Sequence, residues 1–265
     1  MHAVTPASAD LSLEPRDGGT IAVLTVSNPA KLNTLDSALM RAFIARVDEL
    51  RARDDLRALV VTGAGTKAFV GGASIDEMAC LDRERAEEFI GLLHRTCDCL
   101  RALPVPVIAR IDGYALGAGL ELAASCDLRV ASSSAVFGMP EVKVGIPSVI
   151  EAALLPGLIG WGRTRLLLML GENIDAEQAL RWGLVEKVVP REALDEAVDG
   201  WVRSILATGA RAARLQKKLM RQWEEMGVGQ AIEAGVRCFS EAWATDEPAR
   251  MMGAFLDRRR RSGRG

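Results

Sequence analysis

The sequence predicts an α/β fold followed by an all-helical tail, and three observations carry that prediction. Short apolar runs alternate with amphipathic stretches of helical spacing over the first three quarters of the chain. Glycine turns join the ends of two of those runs to helix starts. From Arg191 only helical pattern continues, roughly over 192–206, 210–226, 229–244 and 247–258. Alternation of strand and helix is the signature of α/β architecture. A boundary is expected near Pro190, with a core at 1–190 and a helical region at 191–265.

The elements follow in chain order. Residues 1–10 are small and polar and read as a frayed end. Leu11–Leu13 and Ile21–Val26 read as strands around the turn Asp17-Gly-Gly19. The stretch Ser27–Thr34 is a loop. Asp36 can cap a helix whose apolar positions are Leu39, Phe43, Val47 and Leu50. Leu56–Val61 is a buried strand, ended by Thr62-Gly-Ala-Gly65. Lys67–Met78 reads as strand, glycine turn and helix start, with Ser74 as the cap. Asp82 opens a longer helix with Ala86, Phe89, Leu93, Cys97 and Leu100 inward, and places His94 as a surface or packing residue.

The central stretch is Ile111–Asp127. An apolar strand, Pro106–Ile111, runs into Gly113, Gly117 and Gly119, which permit tight bending and close approach. Leu120–Ser125 then reads as helix. Free N–H groups at such a helix start suit an anion or a developing oxyanion. Glu121 lies in the first turn of an otherwise apolar segment, where a carboxylate needs a partner or a task. Beyond a short strand at Leu128–Ala131, Glu141 sits among Val142, Val144 and Ile146, company that favours a neutral carboxyl and proton transfer near neutrality. Ser148 can cap a helix over Glu151–Leu155, broken by Pro156-Gly157. Helices at Trp161–Leu170 and Ala176–Trp182 and a strand within Gly183–Pro190 complete the core.

Composition removes several classes of function. Hydrophobic residues make up 49% and charged residues 26%, ordinary for a globular chain, and the net charge is −2. An acidic balance argues against nucleic acid, and the one basic concentration, Arg258–Arg261, reads as a solvated tail. The five cysteines form no CxxC pair and only His2 and His94 supply imidazole, so no metal site is expected. An odd, unpatterned set of thiols suits a reducing cytoplasm. Met1–Asp10 has neither a basic nor an apolar segment of signal-peptide type. No apolar run approaches the ~18 residues of a membrane span.

Three motifs now carry a resemblance. Ala68-Phe-Val-Gly-Gly-Ala-Ser-Ile-Asp-Glu-Met78, Asp112-Gly-Tyr-Ala-Leu-Gly-Ala-Gly-Leu-Glu-Leu-Ala123 and Phe137-Gly-Met-Pro-Glu-Val-Lys-Val-Gly-Ile-Pro147 resemble, in order and spacing, three loops of the crotonase (enoyl-CoA hydratase/isomerase) superfamily. The likeness extends from Asn28–Leu35 to Phe255–Arg259. It implies a crotonase-like spiral of ββα units with a C-terminal helical trimerisation region, giving trimers or hexamers. It implies an acyl-CoA substrate whose coenzyme A is part of the substrate, with no separate cofactor.

By motif position, the resemblance assigns the thioester-binding N–H groups to Ala73 and Ala118. It assigns the paired carboxyls of a hydratase to Glu121 and Glu141. The two should titrate as a coupled pair with one proton retained near neutrality. Coenzyme A contacts fall at Ala30, Lys31 and Leu32, at Gly72, Ser74 and Ile75, and at Phe255 and Arg258; Gly117 and Ser148 complete the substrate site. Both glutamates favour hydration of a trans-2-enoyl-CoA. The alternatives are an isomerase, decarboxylase, dehalogenase or thioester hydrolase of the same fold. A non-catalytic acyl-CoA- or RNA-binding homologue is disfavoured by the glutamates and by the acidic charge. A serine hydrolase built on Ser74 lacks a suitable histidine base. The chain departs from the family at Ser74 and Asp76, where Asp and often Lys are usual, at Ala118 in place of Gly, and at Ser148–Glu151 in place of GAGG. Glu151 is thus either a third carboxylate near the site or a helix-surface residue.

Overall fold

The computed structural model describes residues 7–262. The chain opens with a hairpin, β1 (Ser8–Arg16) and β2 (Gly19–Ser27), paired antiparallel from Ser8↔Ser27 to Arg16↔Gly19. Ser8–Asp10 are therefore ladder residues and not a frayed end, because β2 is long enough to pair them. Helix α1 (Ser37–Arg51) begins where the Asp36 carboxylate accepts from Leu39 N–H at 2.8 Å. Strand β3 (Leu56–Gly63) is followed by β4 (Ala68–Val70), the short α2 (Ile75–Met78) and the long α3 (Arg83–Ala102), capped by Asp82. Then come β5 (Val107–Ile111), β6 (Tyr114–Leu116), α4 (Ala118–Ala124), β7 (Leu128–Ser132) and β8 (Val136–Gly138).

Two 3-10 turns, Glu141–Val144 and Ile150–Leu154, lead into α5 (Leu155–Leu170). Pro156 does not break a helix here. It stands in the first turn of α5, where its missing N–H costs nothing; the break comes at Gly160, φ 77°. Strand β9 (Ile174–Asp175), α6 (Ala176–Trp182) and β10 (Lys187–Val189) precede four helices, α7 (Leu194–Leu206), α8 (Ala210–Trp223), α9 (Val228–Ala242) and α10 (Glu247–Ser262).

The strands form two sheets. The larger has the order β1-β2-β3-β5-β7-β10, and the smaller β4-β6-β8-β9. Period-2 alternation gives the larger sheet two apolar faces. Leu59, Val61, Val107, Ala109 and Ala131 face α1, α3 and the smaller sheet. Ala58, Val60, Ile108 and Val130 face the other way and are covered by Leu194, Ala197, Val198 and Val202 of α7. A buried lysine ties α8 down: Lys217 Nζ donates to Leu100 O (3.0 Å) and Val105 O (2.9 Å) and pairs with Asp127 (2.7 Å). Burial pushes its proton affinity down, and Asp127 works against that.

The sheets are held together by close backbone crossings. A methyl group on Gly119 of α4 would lie 1.9 Å from Val70 O of β4, and backbone cannot swing away. Gly91, in the middle of α3, would meet only the end of Arg95, at 3.7 Å. Gly119→Ala is expected to destabilise by about 1–3 kcal/mol or more through overpacking. Gly91→Ala should stabilise by up to about 1 kcal/mol through helix propensity. Urea denaturation of the two variants checks both signs.

Candidate active site

The smaller sheet positions the site. β4, β6 and β8 run parallel, with Ala68↔Tyr114 and Val70↔Ala115 on one side and Tyr114↔Val136 through Leu116↔Gly138 on the other. Parallel strands end at the same edge. The segments after them, Gly71–Ala73, Gly117–Ala118 and Pro140–Glu141, therefore emerge side by side. They line one cleft with Met78, Phe89, Ile90 and Leu93 on one wall and Val144, Ile146 and Val149 on another.

Two backbone donors stand on this cleft. Ala73 bridges Leu35, an arrangement that uses Gly72 O and Ser74 N–H (2.9 and 2.8 Å) but not the Ala73 N–H. Ala118 is the first residue of α4, whose opening hydrogen bonds run from Leu120 and Glu121 N–H to Gly117 O (2.8 and 3.0 Å). Among the described residues neither the Ala73 nor the Ala118 N–H has a hydrogen-bond partner. Such donors meet an incoming carbonyl oxygen without reorganising.

The two carboxyls occupy different surroundings. Glu121 is 4% exposed and projects from the first turn of α4. Its Oε1 accepts from Ala152 N–H at 3.0 Å. Burial, followed by the nearby Glu141 and Glu151 carboxylates, pushes its pKa up to about 8; the Ala152 hydrogen bond opposes the shift. Glu141 is half-buried, on the 3-10 turn Glu141–Val144, and its Oε2 accepts from Ser148 Oγ at 2.8 Å. Val142, Val144 and Ile146 are exposed, and Val144 and Ile146 line the cleft together with Glu141. Glu141 Oε1 lies over Gly117: a methyl group there would approach to 2.4 Å.

The sequence-derived residues divide into three groups. Gly72, Ala73, Ile75, Gly117, Ala118, Glu121, Glu141 and Ser148 line the cleft together. Ala30, Lys31 and Leu32 lie on a 3-10 turn stitched to its edge, with Gly71 N–H donating to Leu32 O at 2.8 Å. Lys31 Nζ meets Asp76 at 2.7 Å, so the unusual Asp76 has a cationic partner from that early loop. Phe255 and Arg258, on α10, are exposed and not part of the cleft wall.

At two residues the structure differs from what the sequence leads one to expect. Ser148 caps no helix; the turn at Ile150–Leu154 has no side-chain cap, and the serine hydroxyl goes to Glu141 instead. Glu151 is not on a helix surface. It is buried, with Oε1 2.8 Å from His94 Nδ1. His94, expected as a surface or packing residue, has a half-exposed ring bonded to Glu151, and no local pattern links residues 57 positions apart. Ser74 does cap α2, accepting from Glu77 N–H at 3.3 Å.

With this geometry established, comparison with known proteins is informative. The sequence model of the enoyl-CoA hydratase/isomerase family matches residues 16–262. The short-chain-enoyl-CoA hydratase of Clostridium acetobutylicum is 35% identical over 246 residues, covering 92% of this chain and 94% of that protein. The crotonyl-CoA hydratase of Syntrophomonas wolfei is 36% identical over 241 residues, covering 91% and 93%. The crystal structure of an enoyl-CoA hydratase from Mycobacterium smegmatis superposes with a TM-score of 0.89 at 28% identity, over 94% of this chain and 96% of the other. The chain belongs to the enoyl-CoA hydratase/isomerase family and has the crotonase fold.

Gly117 has φ 51°, a region that favours glycine, and it borders the Glu141 carboxylate. Gly117→Ala should therefore displace Glu141 and lower turnover on an enoyl thioester by about 10²-fold, the cost of misplacing a reacting group by about 1 Å. Steady-state kinetics with a melting curve will separate this from unfolding.

Proposed function

We propose that this protein adds water across the double bond of a trans-2-enoyl-CoA to give the 3-hydroxyacyl-CoA. The observation that carries the reading is the convergence of Glu121 and Glu141 on one apolar cleft beside two unpartnered backbone donors. The thioester oxygen accepts from Ala73 and Ala118 N–H, which draws electron density from the β-carbon. A water held between the carboxyls gives a proton to ionised Glu121 while its oxygen bonds to the β-carbon. The electron pair moves through the α-carbon onto the thioester oxygen, where the two N–H groups stabilise it. Protonated Glu141 then delivers its proton to the α-carbon as the carbonyl re-forms. Water is added in full, and Glu121 passes the proton it gained back to Glu141 through solvent, which resets the pair. Losing one oxyanion donor costs about 2.7–4 kcal/mol in comparable sites.

The chemistry needs one proton between the two carboxyls. Burial favours the neutral form of Glu121, and addition begins once that proton has passed to Glu141. The apolar walls at Met78, Phe89, Ile90, Leu93, Val144, Ile146 and Val149 suit a hydrocarbon acyl chain. The names of the two curated relatives support a short one. Lys31 and the exposed edge at Ala30–Leu32 are proposed to meet the coenzyme A portion, with Phe255 and Arg258 contributing from a neighbouring copy.

Glu121→Gln and Glu141→Gln are each expected to lower kcat on crotonyl-CoA by about 10²–10⁴-fold, followed by loss of enoyl absorbance; undiminished turnover in both would refute the roles. Above the raised value of about 8 the pair loses its remaining proton and cannot supply the α-carbon. The profile of kcat/KM should accordingly fall as pH rises through that region, and a flat profile to pH 10 would count against a shared proton.

A self-association is proposed on separate grounds. On α9, Val228, Ile232, Val236 and Phe239 recur on one face and are between 64% and 78% exposed. A contiguous apolar face of this kind on a helix is a contact surface, and a second copy in a trimer or a dimer of trimers is the occupant proposed. Ile232→Glu should shift the mass measured by light scattering to that of the monomer.

A further inference from the structure

The stretch in which the chain departs most from the family's glycines, Ser148–Glu151, holds two features the hydration scheme does not use. Ile150 has φ 41°, which a β-branched residue rarely adopts. Glu151 is 6% exposed, yet its partner, His94, is 53% exposed in its side chain. Neither residue lines the cleft. The second oxygen, Oε2, is buried and has no hydrogen-bond partner among the described residues.

We propose that His94 and Glu151 form a positioning pair for Glu121, anchoring to α3 the turn whose Ala152 N–H holds the Glu121 carboxyl. This rests on the hydratase reading for its kinetic consequence but not for its geometry. Among the described residues the only hydrogen bond to Glu121's carboxyl comes from Ala152, at 3.0 Å. Ala152 belongs to the 3-10 turn Ile150–Leu154, which starts in an unfavourable conformation and has no side-chain cap. Such a turn keeps its shape only when its surroundings determine it. The adjacent residue supplies the restraint: Glu151 Oε1 is 2.8 Å from His94 Nδ1. His94 is on α3, which is fixed in the core by Phe89, Leu92, Leu93, Thr96, Cys97 and Leu100. The chain of contacts is therefore core, α3, His94, Glu151, Ala152 N–H, Glu121.

The same carboxylate acts through its field. Burial, and Asp98 on α3, push the Glu151 proton affinity up, while His94 and Arg101 on α3 hold it down. Glu151 in turn helps raise Glu121, together with Glu141. The buried Cys97 thiol of α3 faces both Glu151 and Glu121 and is itself pushed up, chiefly by burial.

Kinetics and a direct titration test the pair. His94→Ala and Glu151→Ala should each lower kcat on crotonyl-CoA by about 10–100-fold, as loss of outer contacts to a reacting group does. KM, and the Kd of butyryl-CoA, which lacks the double bond, should stay within about twofold, since neither side chain reaches the cleft. Combining the two should cost no more than either alone. Glu151→Gln, which can still accept from His94, should recover most of kcat but move the alkaline limb to lower pH, because a negative neighbour of Glu121 has gone. The protonated Glu121 carboxyl band in the infrared, identified by its loss in Glu121→Gln, should shift its midpoint the same way.

That band titrates without substrate. A wild type inert towards crotonyl-CoA whose band still moves in Glu151→Gln would defeat the hydratase reading and uphold the pair. Unchanged kcat in His94→Ala together with an unmoved band in Glu151→Gln would overturn the pair. So would losses of butyryl-CoA affinity as large as the losses of kcat. Should Glu151→Ala not fold, His94→Ala and Glu151→Gln decide the matter.

Discussion

The structure depends on the parallel pairing of three very short strands. β4, β6 and β8 have three residues each, yet their register places the Ala73 donor, the Ala118 donor and the Glu141 carboxyl at one edge. A shift of one residue in β6 would turn every side chain to the opposite face. Glycines enforce that register by excluding side chains at the crossings: Gly113 against Lys67 O, Gly119 against Val70 O, and Gly117 beneath Glu141. Most of the buried apolar side chains belong to the larger sheet and the helices. The small sheet supplies geometry.

The two acids show how one fold separates the properties of identical side chains. Glu121 leaves a helix inside the protein and meets a single backbone donor; desolvation dominates it. Glu141 stands on a half-exposed turn and meets a hydroxyl. Carboxyls in unlike environments can share a proton unequally and so divide the labour of base and acid. The asymmetry comes from the backbone, because the two loops leave neighbouring strands and then take different courses, one into a buried helix and one along the surface.

Much of this was legible in the sequence where the signal is local. Asp36 and Asp82 cap the helices their positions announce, and the spacing of Leu39, Phe43, Val47 and Leu50 marks the buried face of α1. The glycine loops and both glutamates were identifiable through their resemblance to the crotonase loops. What escaped was non-local or too short for a period to appear. Tyr114–Leu116 and Val136–Gly138 are strands only because they pair with each other, the first also with β4 and the second with β9. Ser148 precedes a turn and looks like a cap, but Glu141 competes for its hydroxyl. Pro156 looks like a terminator, yet proline suits the first turn of a helix as well as the end of one. The burial of Glu151 depends on His94, far away in sequence.

The apolar walls of the cleft come largely from other parts of the chain than the loops that carry the Ala73 and Ala118 amides. Sheet-borne loops carry the amides, while α3 and the Val144–Val149 stretch supply most of the apolar lining. This separation amounts to modularity. Substitutions at Phe89, Ile90 or Val149 can reshape the space for a substituent without touching the strand register, so lineages and engineers alike can change what the protein accepts while inheriting its reaction intact.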